Sequence, residues 1–310
     1  MGLLKRLGAR LDTAHGRRKM RAFKEGWPGQ TTDEIKFYKT AKVQYRYRER
    51  QCSQGTGPTI VFTADPPATL EVYDELFAVF SSRFRVIAVE LPAMGFSAVS
   101  PDYGFGFRET NDDLADFLRA VASEDAIWAF SCVAGLAAID LATRQPDLVS
   151  KIILMQTGDV AAFAKWKAAR DPKRILAKPV IGQFIMGRIA HKRMPDWYEL
   201  SVGNRDKIPH FCACAAESFE HGAMWSLASA YQTYMDAGIE LGRPSQPILA
   251  LWGLADRSHP SENAVSALNF SDTVEHLTFD DLGHFSELED TQRVFKLIEA
   301  FAIDSAKPNR

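Results

Sequence analysis

The side chains best suited to chemistry sit in three short stretches. Phe130-Ser131-Cys132-Val133-Ala134-Gly135 follows one apolar run and leads into an amphipathic segment; Gly253-Leu254-Ala255-Asp256 ends another. Gly283-His284-Phe285 follows, its histidine 28 positions after Asp256. A thiol or hydroxyl, an imidazole and a carboxylate are the set that covalent acyl chemistry uses: a nucleophile, a base and a group that orients the base. Ser131 and Cys132 are adjacent, so two registers compete for the nucleophile. Asp159, Asp280 and Asp281 are other acids that could serve the imidazole. His191, His210 and His221 show no metal-ligand pattern, and His210, Cys212 and Cys214 lack zinc spacing, so no metal is expected. Gly104-Phe105-Gly106 lacks the strand–turn–helix context of a dinucleotide site, and no phosphate loop is present, so no cofactor is expected.

These residues need a scaffold, and the pattern supplies one. Residues 35–40 and 43–49 alternate as a hairpin. Short apolar runs at 59–63, 85–89, 126–130, 151–155, 247–252 and 273–279 suit buried strands, and helical periodicity falls at 70–81, 109–122, 134–145, 261–269 and 288–302. Strand–helix alternation of this kind implies crossovers and a parallel sheet. It stops between about 158 and 242, where the sequence is helical and loop-like. The expected organisation is therefore an N-terminal segment, 1–30; an α/β core, 31–157 and 243–310; and an inserted helical cap, 158–242.

With those stretches in order, the chain resembles the α/β-hydrolase superfamily, on the capped branch of haloalkane dehalogenases and epoxide hydrolases. Val89-Glu90-Leu91-Pro92-Ala93-Met94-Gly95-Phe96-Ser97 is similar to the family's strand-then-D-x-P-G-x-G-x-S loop. Leu251 to Asp256 resembles its G-x-x-D segment, and Gly283-His284-Phe285 its G-H segment. The resemblance implies an α/β-hydrolase fold: a mostly parallel sheet flanked by helices, with the cap over the site. It also decides the register. Counting the family's nucleophile-x-G-G-x-x-A helix from Cys132 puts Gly135, Ala138, Pro146 and Val149 at the expected positions; counting from Ser131 misses each by one. The implied triad is Cys132 as nucleophile, His284 as base and Asp256 as orienting acid, in a cofactor-free hydrolase or acyl transferase for an ester, thioester or lactone. A neighbouring imidazole and the amino end of a helix are expected to lower the thiol's pKa.

Departures from the family pattern are specific. Phe130 stands where a small residue is usual, which implies a re-angled turn. Phe62-Thr63-Ala64-Asp65-Pro66-Pro67 replaces the family's His-Gly loop, so the implied oxyanion donors are the N–H groups of Asp65 and Val133. The Asp65 carboxylate either points into the pocket, as a substrate contact or second base, or caps its own turn. Ser131, Phe130 and Phe285 are expected beside the substrate. Two rivals follow: a degenerate hydrolase fold that binds a ligand, and a cyclase or lyase with His284 and Asp65 as acid and base.

A net charge of −2, with 46% hydrophobic and 25% charged residues, gives no reason to expect a nucleic-acid partner. Four cysteines without a disulfide pattern, no apolar run that could span a bilayer and no signal peptide point to a cytoplasmic protein. Near the start, Leu3, Leu4, Leu7 and Leu11 recur at helical spacing among eight cations. Residues 1–25 are thus either a solvated arm or a basic amphipathic helix making peripheral membrane contact. Nine cations between Lys165 and Arg193, interleaved with an apolar run, are either a solvated surface or the mouth of a tunnel. A tunnel would admit an acyl group carried on coenzyme A or a carrier protein.

Overall fold

The structure is a computed structural model that describes residues 2–22, 33–235 and 238–304. Strands β1 (Ile35–Lys39) and β2 (Val43–Arg50) form the hairpin, in the register Tyr38 opposite Tyr45. Next come β3 (Thr59–Ala64) and β4 (Arg85–Glu90), then the two-residue strands β5 (Met94–Gly95) and β6 (Ala98–Val99). The remaining strands are β7 (Ile127–Ser131), β8 (Lys151–Met155), β9 (Met224–Trp225), β10 (Ile248–Gly253) and β11 (Val274–Phe279). The main sheet runs β1-β2-β4-β3-β7-β8-β10-β11, with β6 appended to β2. It is parallel from β4 to β11, and β2 runs antiparallel to its neighbours.

The central strands are nearly continuous apolar runs because both faces are covered. Val61, Ile87, Trp128, Phe130, Ile152 and Leu154 join the core under helices α3 (Phe107–Val121) and α4 (Ala134–Arg144). Their alternates, Ile60, Phe62, Ile127, Ala129, Ile153 and Met155, join the core under α2 (Asp74–Phe80) and α10 (Thr291–Asp304). Period two thus divides each strand between two cores. The strand order reverses at β3: the chain goes from β3 to β4 on one side, then returns to β7 on the other. The carboxyl ends of β3 and β7 therefore flank a crevice, where ligands of open α/β sheets bind.

Between β8 and β10 the chain is helical: α5 (Val160–Arg170), α6 (Ile181–Ser201), α7 (Ile208–Glu220) and α8 (Leu227–Ser229), the last continuing as a wider turn over Ala230–Tyr234. The expected absence of strands here needs one amendment, because β9 pairs with β5 and ties the insertion to the loop after β4. A short helix, α9 (Ser286–Glu289), precedes α10. At the other end, α1 (Leu3–Ala22) packs on α6 and α8. Lys5 Nζ donates to the Gln232 carbonyl (2.6 Å), and Asp12 accepts from the Ser229 hydroxyl (2.7 Å). This docked helix is not the loose arm that one sequence alternative allowed; residues 23–32 lie outside the described residues. A face of small residues, Gly8, Ala9 and Thr13, flanked by Lys5 and Asp12, does the docking, so Leu3, Leu4, Leu7 and Leu11 are 47–82% exposed. Among the described residues, no helix is long and apolar enough to cross a membrane.

Candidate active site

Cys132 and Val133 are the two residues between β7 and α4, and Cys132 has φ +52°. That left-handed conformation costs a non-glycine residue free energy and persists only when neighbours over-determine it. They do so here. The Cys132 N–H donates to the Met155 carbonyl (2.8 Å), while its own carbonyl accepts from the Thr157 hydroxyl (2.9 Å) and the Gly135 N–H (3.0 Å). Thr157 lies so close that a Cβ on Gly135 would come within 2.3 Å of its hydroxyl, which is why the first turn of α4 needs glycine. Phe130 is accommodated within the sheet. Its side chain leaves toward the sheet's core and stacks on Trp128, with ring centroids 5.4 Å apart.

Asp256 follows β10 and gathers the rest. Its Oδ2 lies 2.8 Å from His284 Nδ1, 2.9 Å from His259 Nδ1 and 3.0 Å from the donating Gln156 Nε2. Its Oδ1 accepts from the Ser258 N–H (2.7 Å) and hydroxyl (2.5 Å). Gly253, at the end of β10, allows this close packing: a Cβ there would sit 2.1 Å from the Gly283 carbonyl. Burial alone would raise the Asp256 pKa, but the two imidazoles outweigh it and hold the carboxyl well below the usual range. The opposite ring nitrogen of His284, Nε2, lies 2.7 Å from Asp65 Oδ2. Burial works against the imidazolium, yet Asp256 and Asp65 together raise the His284 pKa well above its ordinary value. Of the two sequence alternatives for Asp65, the carboxylate is therefore the one that turns inward.

The sulfur of Cys132 lies within 4.8 Å of a His284 ring nitrogen and of an Asp65 oxygen. A second imidazole also reaches it: His259 Nε2 is 3.9 Å from the sulfur. Burial first, and the Asp65 carboxylate second, push the thiol up to about 11, against which His284 pulls only weakly. This corrects the expectation of a lowered thiol pKa, which counted the imidazole and the helix but neither the depth of the site nor Asp65. The Val133 N–H faces the sulfur and is among the groups that lower its pKa. The Asp65 N–H lies against the Tyr73 hydroxyl.

Beside these groups lies a cavity of about 190 Å³, lined by Asp65, Val133, Trp166, Trp197 and Tyr231 among mostly apolar neighbours; Cys132, His259 and His284 lie behind this lining and not in it. The side chains from the inserted helices close it: Trp197 stands edge-on to His284, and Trp166 stacks on His259. Ser131, Phe130 and Phe285 do not line this cavity. The Ser131 hydroxyl faces Glu287 Oε1 at 3.5 Å, and Phe285 packs between Tyr198 and Phe211. Within β7, alternation sends Phe130 and Ser131 to opposite faces of the sheet. Of the nine insertion cations, Arg170 alone lines the cavity.

Two trios, Asp65–Cys132–His284 and Asp256–His259–His284, each bring ligand-type atoms within 4.8 Å. Their N···O separations of 2.7–2.9 Å are hydrogen-bond distances, and the arrangement as it stands is a proton network. Sequence reading passed over His259. Its only signal was proximity: Ser258-His259-Pro260 follows Asp256 directly, in the turn that presents the acid.

A strand–strained cysteine–helix elbow, facing an aspartate-held histidine at the carboxyl edge of a parallel sheet, defines a class of protein. The sequence profile of the alpha/beta hydrolase fold matches residues 58–291, and the chain belongs to that family. Over 118 residues it is 30% identical to the pimeloyl-[acyl-carrier protein] methyl ester esterase of Vibrio atlanticus; the match takes in 38% of this chain and 42% of that one. The chain thus spans less than half the length of this curated relative. Est816, an N-acyl homoserine lactone degrading enzyme, superposes with TM-score 0.66 at 17% identity, over 86% of this chain and all of that one. The Cif epoxide hydrolase of Acinetobacter nosocomialis gives TM-score 0.65 at 16% identity, over 93% and 96%. At such identities the two superpositions speak for the fold alone.

Proposed function

We propose that this protein hydrolyses or transfers the acyl group of an ester, thioester or lactone through an acyl-enzyme on Cys132. The observation that carries this reading is the left-handed Cys132 at the elbow, its sulfur within reach of the Asp256-held His284. In this reading the thiol is neutral at rest and gives its proton to an imidazole nitrogen beside it as the sulfur attacks the acyl carbon. The N–H groups of Asp65 and Val133 hold the developing oxyanion. The imidazolium of His284, backed by Asp256, protonates the leaving group and then, as the neutral base, activates the water or other acceptor that releases the acyl group. Asp65 must shift from His284 Nε2 for substrate to approach, or pass the proton itself.

The cavity's apolar walls suit a hydrocarbon acyl chain. Arg170 at its edge suits an acidic group on the chain or its carrier, consistent with a relative named for a carrier-protein ester. The cap assignment, residues 158–242, belongs to the same proposal, with Trp166, Trp197 and Tyr231 as its inner surface. The 2.7 Å contact between Asp65 and His284 favours a second reading: acid–base chemistry by that pair, without a covalent adduct. Turnover of a panel of p-nitrophenyl esters, acyl thioesters and lactones by wild type and Cys132→Ala tests the first reading. A loss of at least about 100-fold in kcat supports it; retained turnover supports the second. No turnover by wild type would favour the degenerate binding protein.

The outward leucines of α1, beside exposed Arg6, Arg10 and Arg18, are proposed as a peripheral contact with an anionic membrane. The same cations oppose pairing of this face with a second copy.

A further inference from the structure

We propose that His259, not His284, is the base that takes the Cys132 proton, so that base and acid are divided between two histidines sharing Asp256. The inference rests on the acyl-enzyme reading and assigns it a residue that the family-like triad does not contain. The two rings differ in what their nitrogens do. Both nitrogens of His284 are occupied by carboxylates, at 2.8 Å on Nδ1 and 2.7 Å on Nε2, so its protonated form is favoured and it has no lone pair for a thiol. His259 places Nδ1 against Asp256 Oδ2 (2.9 Å) and the Ser258 hydroxyl (2.9 Å). That hydroxyl already donates to Asp256 Oδ1, so Nδ1 carries the ring's proton and Nε2 its lone pair. Nε2 is then the acceptor 3.9 Å from the Cys132 sulfur.

The surroundings hold this division in place. His259 is buried, stacked on Trp166 with centroids 5.2 Å apart and edge-on to Trp252. The titratable groups around it are Asp256, His284, Cys132 and, farther off, Asp65. Burial and the charge on His284 keep the His259 pKa below its ordinary value, although Asp256 and Asp65 pull the other way. One neutral and one charged imidazole, 4.9 Å apart, is also the arrangement that avoids two adjacent like charges around one carboxylate.

The proton accounting closes. As the sulfur–carbon bond forms, the thiol proton moves to His259 Nε2. When the leaving group departs, it takes a proton from the His284 imidazolium. Water then attacks the acyl carbon and gives its proton to the neutral His284. The thiolate leaves and recovers its proton from His259, which restores both rings and releases the acid.

Stopped-flow measurement of nitrophenolate release from p-nitrophenyl butyrate reads the acylation step alone, because nitrophenolate leaves without needing a proton near neutral pH. His259→Gln, which keeps a donor for Asp256, is expected to slow the burst by about 100-fold or more. Wild-type acylation should fall with acid as His259 protonates, at a pH below the ordinary imidazole range because burial and the His284 charge lower its pKa. An unchanged burst and pH profile in a folded His259→Gln would overturn the assignment. Ester turnover undiminished in Cys132→Ala would instead remove the acyl-enzyme reading beneath it. Nitrogen-15 NMR of histidine-labelled wild type gives a check that needs no variant: at pH 7 the ring stacked on Trp166 should show an unprotonated Nε2 beside a doubly protonated His284. A charged His259 would rule it out as the base.

Discussion

Asp65 and Glu287 are buried carboxyls on either side of the elbow, and each has a separable effect. Asp65 lies beside the thiol and is the second cause, after burial, of its position near 11. Asp65→Asn should therefore raise the rate at which iodoacetamide alkylates Cys132 at pH 8 by several-fold, and an unchanged rate would contradict the electrostatic role. Glu287 has one oxygen facing Ser131, and burial raises its pKa to about 7. Its folded pKa lies above its unfolded value of about 4.3. The native state therefore holds a proton that the unfolded chain has released, and stability is lost as pH rises from about 4.3 to 7. Glu287→Gln removes that dependence. Relative to wild type it should gain about 3 kcal/mol in urea unfolding between pH 5 and 8; parallel pH profiles would contradict the buried, proton-holding carboxyl. Neither carboxyl's surroundings could be read from the sequence. Asp65 was suspicious only because a charge replaced a His-Gly pair, and nothing in the pattern singled out Glu287, one residue before the helix expected over 288–302. His259 was hidden for a different reason: once His284 had filled the family's position, nothing in the spacing asked for a second imidazole.

The elbow and the first helix are the elements where packing can be tested. In Gly135→Ala the new methyl must displace Thr157, whose hydroxyl holds the Cys132 carbonyl. A loss of about 1–3 kcal/mol is expected from the overpacking. Adding Thr157→Ala should recover part of that stability, but not the carbonyl's hydrogen bond; thermal unfolding of the single and double variants measures both. For α1, replacing Leu3, Leu4, Leu7 and Leu11 by serine should cut sedimentation with phosphatidylglycerol vesicles several-fold. Phosphatidylcholine vesicles should bind weakly throughout. Equal binding of the variant would exclude the leucine stripe, and a concentration-dependent dimer in its place would assign the face to a second copy. Most core elements were legible because strands buried on both faces read as unbroken apolar runs, as residues 152–155 do, and the helices carry one apolar stripe. Strand β9 was not, since two residues carry no period. The orientation of α1 was not either: a leucine stripe ordinarily predicts the buried face, whereas here Asp12 and Lys5 make the contacts.

At the scale of the whole molecule, the sheet's reversal at β3 brings Asp65 and Cys132 to one crevice, and the loops after β10 and β11 deliver Asp256 and His284 to it. The inserted helices then cover this crevice with Trp166, Trp197 and Tyr231. That much followed from the order and spacing of three motifs, because the topology fixes where a strand's end must fall. The distances within the crevice did not follow, since they depend on which carboxylate reaches His284 first. The central claim is that this crevice makes a thioester on Cys132. It is tested most directly by rapid acid quench of the protein with p-nitrophenyl butyrate, followed by intact-mass measurement and peptide mapping. The account predicts a single butyryl adduct on Cys132, absent from Cys132→Ala. Steady nitrophenolate release with no adduct at any quench time, undiminished in Cys132→Ala, would contradict it.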